Sequence, residues 1–219
     1  MKHVIELIDI SLTNKAGVKI IDGLNFSLQS GKTALLCGPP SIKKSSLVEL
    51  LIGSYAPDSG VVLLFEKKLN ARKEREVARI RRKIGGAGGI FSLISYQSLY
   101  DNINYPLILK SESASSRKKK VLRILADYGL LGKKGEKPGG LSRGEKILAL
   151  LARATIADQP LLLIDEPMAG LDSDMASKVT DILKGLSIAG HSMLILTTDG
   201  SALRLPDARE YVFENGHLK

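Results

Sequence analysis

Cysteine occurs once in these 219 residues and tryptophan not at all. The lone Cys37 rules out an internal disulfide and fits a reducing compartment. At the end of an apolar run it reads as a small buried hydrophobe. Aromatic residues make up 5% of the chain and do not interleave with its bases, so a base-stacking platform for nucleic acid is unsupported. Aliphatic runs such as Leu161 to Ile164 are far too short to cross a bilayer. The start, MKHVIELIDI, lacks an apolar stretch followed by a small-residue cleavage site, and no export signal is expected. Acidic residues are also in short supply, 23 against 32 basic, for a net charge of +9. That field favours anionic partners: nucleotide phosphates, nucleic acid or acidic headgroups. The excess sits in two runs, Lys67 to Lys83 and Ser116 to Lys120; the first mixes Glu74 and Glu76 with its bases and reads as a solvated helix face.

What is present is ordinary globular material, 44% apolar and 25% charged, in a chain long enough for one large domain or a core with a subdomain. HVIELIDISL and KIIDGLNFSL read as strands around a turn at TNKAG. KTALLC is a buried strand ending at Gly38, and KSSLVELLIG places Leu47, Leu50 and Leu51 on one helical face before Gly53. DSGVVLLF suggests another strand. Helices follow at roughly Lys73 to Lys83, Asp101 to Leu109 and Ser116 to Tyr128. A breaker-rich loop, Gly132 to Gly140, precedes a long helix that Ser142 caps, with Glu145 three residues on completing a capping box. The strand LLLID, a helix from about Asp174 to Ser187, the strand SMLILTT and a last strand near REYVFENG complete the chain. Alternation of strand and helix at both ends predicts a parallel sheet with packed helices, and residues from about 90 to 150 form a helical insert.

Two segments carry chemistry. LLCGPPSIKKSSL nearly matches the phosphate-binding pattern G-x-x-x-x-G-K-[ST]: Gly38, Lys44 and Ser45 are in place, while Lys43 occupies the second glycine position. In LLLIDEP, four aliphatics are followed by Asp165 and Glu166, so a buried strand delivers two carboxylates to a sheet edge, where their charge can be neutralised. LSRGE, Leu141 to Glu145, precedes this strand, and AGLD, Ala169 to Asp172, follows it.

Together these four segments resemble the P-loop, signature, Walker B and D-loop motifs of the ABC-type ATPases, the later three usually written LSGGQ, hhhhDE and SALD. The resemblance spans essentially the whole chain, and its compact length is similar to the lipoprotein-release and cell-division subgroup. It implies an α/β fold of the P-loop NTPase kind. The core is a mostly parallel sheet with flanking helices, joined by an N-terminal antiparallel β subdomain and an α-helical subdomain. It implies one nucleotide-binding domain over 1–219, with 1–89 and 151–219 as core and β subdomain and about 90–150 helical. The implied cofactors are ATP and Mg2+. Gly38, Pro39, Pro40, Ser41, Ile42, Lys43, Lys44, Ser45 and Ser46 would cradle the phosphates, with Lys44 on the β and γ groups. Ser45 and Asp165 would bind the metal, and Glu166 would polarise the attacking water. Ser142, Gly144 and Asp172 would face the nucleotide of a second subunit in a head-to-tail pair. The partners implied are an integral-membrane subunit and another ABC subunit, identical or not, at the inner face of the cell membrane, with no nucleic acid expected.

Departures from the family pattern cluster. Two P-loop glycines are Ser41 and Lys43; the glutamine position that watches the γ-phosphate is Gly89; the switch histidine of T-H-D falls at Thr198 in Thr197-Thr198-Asp199; and the adenine-stacking aromatic falls at Asn14. His191 precedes Thr198 by a whole strand, roughly 23 Å, and cannot substitute for it. Most departures concern the subunit's own nucleotide, whereas Ser142, Gly144 and Asp172 are kept for a partner's, so an asymmetric pair is expected with this chain as the weaker member. The retained Glu166 argues for hydrolysis. The alternatives are a nucleotide-binding scaffold that hydrolyses little and, ranked last, an ATPase acting on nucleic acid, for which neither coiled-coil heptads nor cysteine clusters lie between Lys44 and Ser142.

Overall fold

The computed structural model describes residues 2–13, 17–39, 44–198, 200, 203–214 and 217–218; of the positions singled out above, Asn14, Pro40, Ser41, Ile42, Lys43 and Asp199 lie outside them. The two alternating N-terminal segments form β1 (His3–Thr13) and β2 (Lys19–Gln29), paired antiparallel. A register shift where Asp9 takes a positive φ bends β1. β4 (Ser59–Leu64) lies antiparallel on the other edge of β1 and carries the short β5 (Lys67–Lys68), giving the order β2-β1-β4-β5.

The second sheet is built from β3 (Thr33–Cys37), β6 (Ile84–Gly88), β7 (Leu161–Asp165), β8 (Met193–Thr197), β9 (Arg209–Glu214) and β10 (His217–Leu218), in the order β10-β9-β3-β8-β7-β6. All pairs from β9 to β6 are parallel. Every residue of β3, β7 and β8 is buried, as their continuous aliphatic runs require of central strands covered on both faces.

The helices are α1 (Lys44–Leu51), α2 (Glu74–Arg81), α3 (Leu99–Leu109), α4 (Ala114–Asp127), α5 (Arg143–Thr155) and α6 (Ser173–Ile188). Ser98, Ser113, Ser142 and Asp172 cap the last four, each side chain accepting a backbone N–H from three residues on. One core joins the antiparallel sheet, α1 and one face of the parallel sheet through residues such as Ile5, Leu50 and Leu163. The other joins the opposite face to α3, α4, α5 and α6 through Ile103, Leu125, Leu151, Val179 and Ile164. Among the described residues no helix is long and apolar enough to cross a membrane.

The sequence reading did not anticipate β5, β6 or β10. β6 reads IGGAG, a breaker pattern, yet its glycines are what let it pair there. A Cβ on Gly85 would lie 2.1 Å from the Ala154 carbonyl oxygen of α5, and one on Gly86 would lie 2.3 Å from the Phe91 ring. The parallel strands release their chains at one carboxyl edge, at Cys37, Gly88, Asp165 and Thr197, and that edge positions the site.

Candidate nucleotide site

At the end of β3 the chain turns at Gly38, whose N–H donates to the Thr197 carbonyl across 3.2 Å. Glycine is required there: a Cβ would come within 2.7 Å of the Phe213 carbonyl oxygen on β9. Pro39 is exposed, and the described chain resumes at Lys44, the first residue of α1. Lys44 is only 6% exposed, an expensive place for an ammonium unless it is fully paired. Its Nζ donates to the carbonyls of Gly38 and of Thr197, the latter at 2.8 Å, and forms an ion pair with Glu166 Oε1 at 3.1 Å. The next residue, Ser45, donates its hydroxyl hydrogen to Oδ2 of Asp165 at 2.9 Å. The backbone carbonyl of Ser46 accepts from the Tyr55 hydroxyl at 2.6 Å, and burial raises the phenol's pKa.

Asp165 ends β7 in a buried position. Desolvation raises its pKa; the Glu166 charge adds to this, while the Ser45 hydrogen bond and Lys44 oppose it. Glu166 takes the left-handed conformation, φ 50°, which a non-glycine residue holds only where its surroundings determine it. They do so here. Its backbone N–H donates to the Leu196 carbonyl at 2.8 Å. Its carboxylate accepts the Thr198 N–H on Oε2 at 3.1 Å and the Thr198 hydroxyl on Oε1 at 2.6 Å.

Gly88 and Gly89 complete this edge from β6, both at positive φ. A Cβ on Gly89 would lie 2.1 Å from Asp165 Oδ2, and one on Gly88 would lie 2.0 Å from the Asp165 carbonyl oxygen. From here a cleft of about 220 Å³ runs past Asp165 and Glu166 to Arg143 and Lys146 of α5 and to Leu171.

The segments beyond the cleft form a second group. Ser142 and Glu145 make the expected capping box: Glu145 N–H donates to Ser142 Oγ at 3.2 Å, and Ser142 N–H donates to Glu145 Oε2 at 2.8 Å. That backbone N–H is the main reason the Glu145 carboxyl titrates below its usual range, with Lys133 assisting. Gly144 is buried, and a Cβ there would lie 2.3 Å from Met175 Cγ, so its smallness brings α5 and α6 together. Asp172 caps α6, accepting the Met175 N–H at 2.9 Å. Arg143 lies over Gly170, its Cζ 2.9 Å from where a Cβ would stand.

The structure therefore gathers Lys44, Ser45, Asp165 and Glu166 at one point and holds Ser142, Gly144 and Asp172 around the α5–α6 contact. Sequence reasoning missed Thr198 as a partner of Glu166, because it registered that position only as a lost histidine. It also missed Asn102. This buried amide accepts from Ile94 N–H at 2.7 Å and donates to the carbonyls of Ile94, Gln97 and Ser98, fixing the 94–98 segment. Two asparagines, Asn102 and Asn104, within an otherwise apolar buried face of α3 were the signal available.

Comparison with known proteins gives the family. Residues 21–169 match the family model described as ABC transporter. The chain is 29% identical over 209 residues to the cell division ATP-binding protein FtsE of Escherichia coli, covering 95% of this chain and 94% of that one. It is 30% identical over 201 residues to the lipoprotein-releasing system ATP-binding protein LolD of Psychrobacter arcticus, covering 91% and 89%. Among solved structures it superposes with a TM-score of 0.89 on the ATP-binding cassette MJ0796, a dimer in a post-hydrolysis state bound to ADP and Pi, at 27% identity and covering 98% and 96%. CbiO1 of Clostridium perfringens, at 20% identity and a TM-score of 0.82, shares the fold. With a family model spanning well over half its length and relatives matching nearly all of it, this chain belongs to the ABC transporter family, as an ATP-binding cassette.

Proposed function

We propose that the chain is an ATP-hydrolysing subunit of a membrane complex, one half of a head-to-tail pair of cassettes that drives an integral-membrane partner from the cytoplasmic face. The observation that carries this reading is the meeting of two bonded pairs at the sheet edge, Lys44 with Glu166 and Ser45 with Asp165. The names of the relatives support it, one from cell division, one from lipoprotein release, and a dimer holding ADP and Pi.

The N–H groups at the start of a helix and the helix dipole favour an anion at the head of α1, and Lys44 would exchange Glu166 for the β and γ phosphates. Ser45 Oγ and Asp165 Oδ2 lie 2.9 Å apart, two hard oxygen donors of the kind Mg2+ takes, and these residues would hold it. Bound there, the ion would neutralise phosphate charge. Glu166 accepts the proton of the attacking water as its oxygen bonds the γ-phosphorus and the bond to ADP breaks. Ser142, Gly144 and Asp172 serve the nucleotide of the paired subunit, at a helix N-terminus suited to its γ-phosphate. The pair is asymmetric where the partner keeps the features this chain has lost. A structure of the pair with two equally occupied ATP–Mg2+ sites made by this chain alone would remove the asymmetry.

A second reading, a scaffold that binds ATP and hydrolyses little, is favoured by Gly89, which offers no side chain to the γ-phosphate. ATP turnover by the purified chain, alone and with its membrane partner, separates the two. Hydrolysis falls about 100-fold or more in Glu166→Gln if Glu166 is the base. Equal rates in both proteins would select the scaffold.

A further inference from the structure

We propose that Thr198 is a positioning residue for Glu166, replacing the missing histidine by a different device; the inference rests on reading Glu166 as the base. One residue supplies two donors, one to each carboxylate oxygen: the backbone N–H reaches Oε2 at 3.1 Å and the hydroxyl reaches Oε1 at 2.6 Å. Binding both oxygens fixes the plane of the carboxylate as well as its position. Only a short β-hydroxyl can reach one oxygen while its own N–H holds the other, and threonine's β-branching restricts χ1 and so pre-sets the hydroxyl. The arrangement is braced from below. Glu166 N–H is tied to the carbonyl of Leu196, two residues before Thr198, so carboxylate and backbone are held by the same strand end in spite of the positive φ.

Thr197 and Thr198 also divide the work between the two charges. The Thr197 carbonyl accepts from Lys44, and Thr198 donates to Glu166, which in turn pairs with Lys44 at 3.1 Å. A phosphate that takes Lys44 therefore removes one of three donors from Glu166 and leaves the two from Thr198. The carboxylate keeps its orientation while Oε1 gains a free lone pair for a water proton. Glu166 and phosphate compete for Lys44, and Thr198 biases that competition by satisfying Glu166.

The test is a double-mutant cycle on the full chain, with kcat at saturating ATP–Mg2+ and ATP affinity by calorimetry. Thr198→Val keeps the backbone N–H and loses the hydroxyl; kcat falls about 10- to 100-fold, the effect of one hydrogen bond to a charged group, and Thr198→Ser recovers most of it. Glu166→Gln frees Lys44 and tightens ATP binding, whereas Thr198→Val weakens it a few-fold by leaving Glu166 more dependent on Lys44. In the Glu166→Gln background, Thr198→Val leaves the affinity unchanged, because the negative charge that competes for Lys44 is gone. A Thr198→Val protein with wild-type kcat, or one whose affinity loss is the same in both backgrounds, overturns the proposal. If the wild-type chain binds ATP without turning it over, the hydrolysis reading falls and the affinity cycle alone decides the role of Thr198.

Discussion

Gly89 lies so close to Asp165 that a Cβ on it would stand 2.1 Å from Oδ2, the oxygen that accepts the Ser45 hydroxyl. The glutamine position of the family has therefore become a place where no side chain fits, with φ +54° adding a second demand for glycine. Gly89→Ala is expected to destabilise the protein by about 2–4 kcal/mol, from left-handed strain and displacement of a buried carboxylate, lowering Tm by several degrees. Gly89→Gln is expected to do the same and not to raise ATP turnover. Thermal unfolding with a turnover assay checks both, and a stable, faster Gly89→Gln protein contradicts them.

The four hydrogen bonds of buried Asn102 hold the 94–98 segment. Asn102→Ala leaves a backbone N–H and up to three carbonyls seeking partners and is expected to cost about 2–4 kcal/mol. The same segment carries Tyr96, which is 74% exposed, and an exposed aromatic of this size suits contact with the proposed membrane partner. Loss of partner stimulation should therefore exceed loss of basal turnover. Equal losses, measured with and without the partner, would confine Asn102 to folding.

The capping box of α5 has a pH signature. The Ser142 N–H lowers the Glu145 pKa, so Glu145 contributes stability above the ordinary carboxylate range. That contribution is lost as pH falls through the unfolded value and then the depressed folded one. The Glu145 side chain is 24% exposed and open enough for solvent to screen part of the interaction, so the effect is small. Glu145→Gln is expected to flatten the acid limb of the stability curve, and Ser142→Ala to cost about 1 kcal/mol at neutral pH. Denaturant melts at pH 7 and below pH 4 distinguish the two.

A Cβ at Gly85 would lie 2.1 Å from the Ala154 carbonyl oxygen. Gly85→Ala is expected to destabilise by about 3 kcal/mol through overpacking between β6 and α5. An alanine protein that melts with the wild type would show that the two backbones separate easily.

These residues mark where the sequence was readable. Continuous aliphatic runs gave β3, β7 and β8, because burial on both faces leaves no other pattern, and serine followed by Glu145 gave the start of α5. The spacing of Lys44, Ser45, Asp165 and Glu166 pointed to one sheet edge, since parallel strands deliver their carboxyl ends together. β6 was not readable: Ile84-Gly85-Gly86-Ala87-Gly88 carries the breaker signal, and only the press of α5 and Phe91 explains the glycines. Thr198 was misread for a similar reason. Its value lies in a contact with Glu166 across 32 positions of chain, and no local pattern encodes that contact.

Where α5 meets β6, main chain touches main chain at Ala154 and Gly85 with no side-chain layer between to slide. The helix can then turn about that point more easily than it can shear past the sheet. Its other end, at Arg143, lies about 17 Å away along the axis. A tilt of only about 10° would swing that end through about 3 Å, a lever whose fulcrum is a single missing methyl.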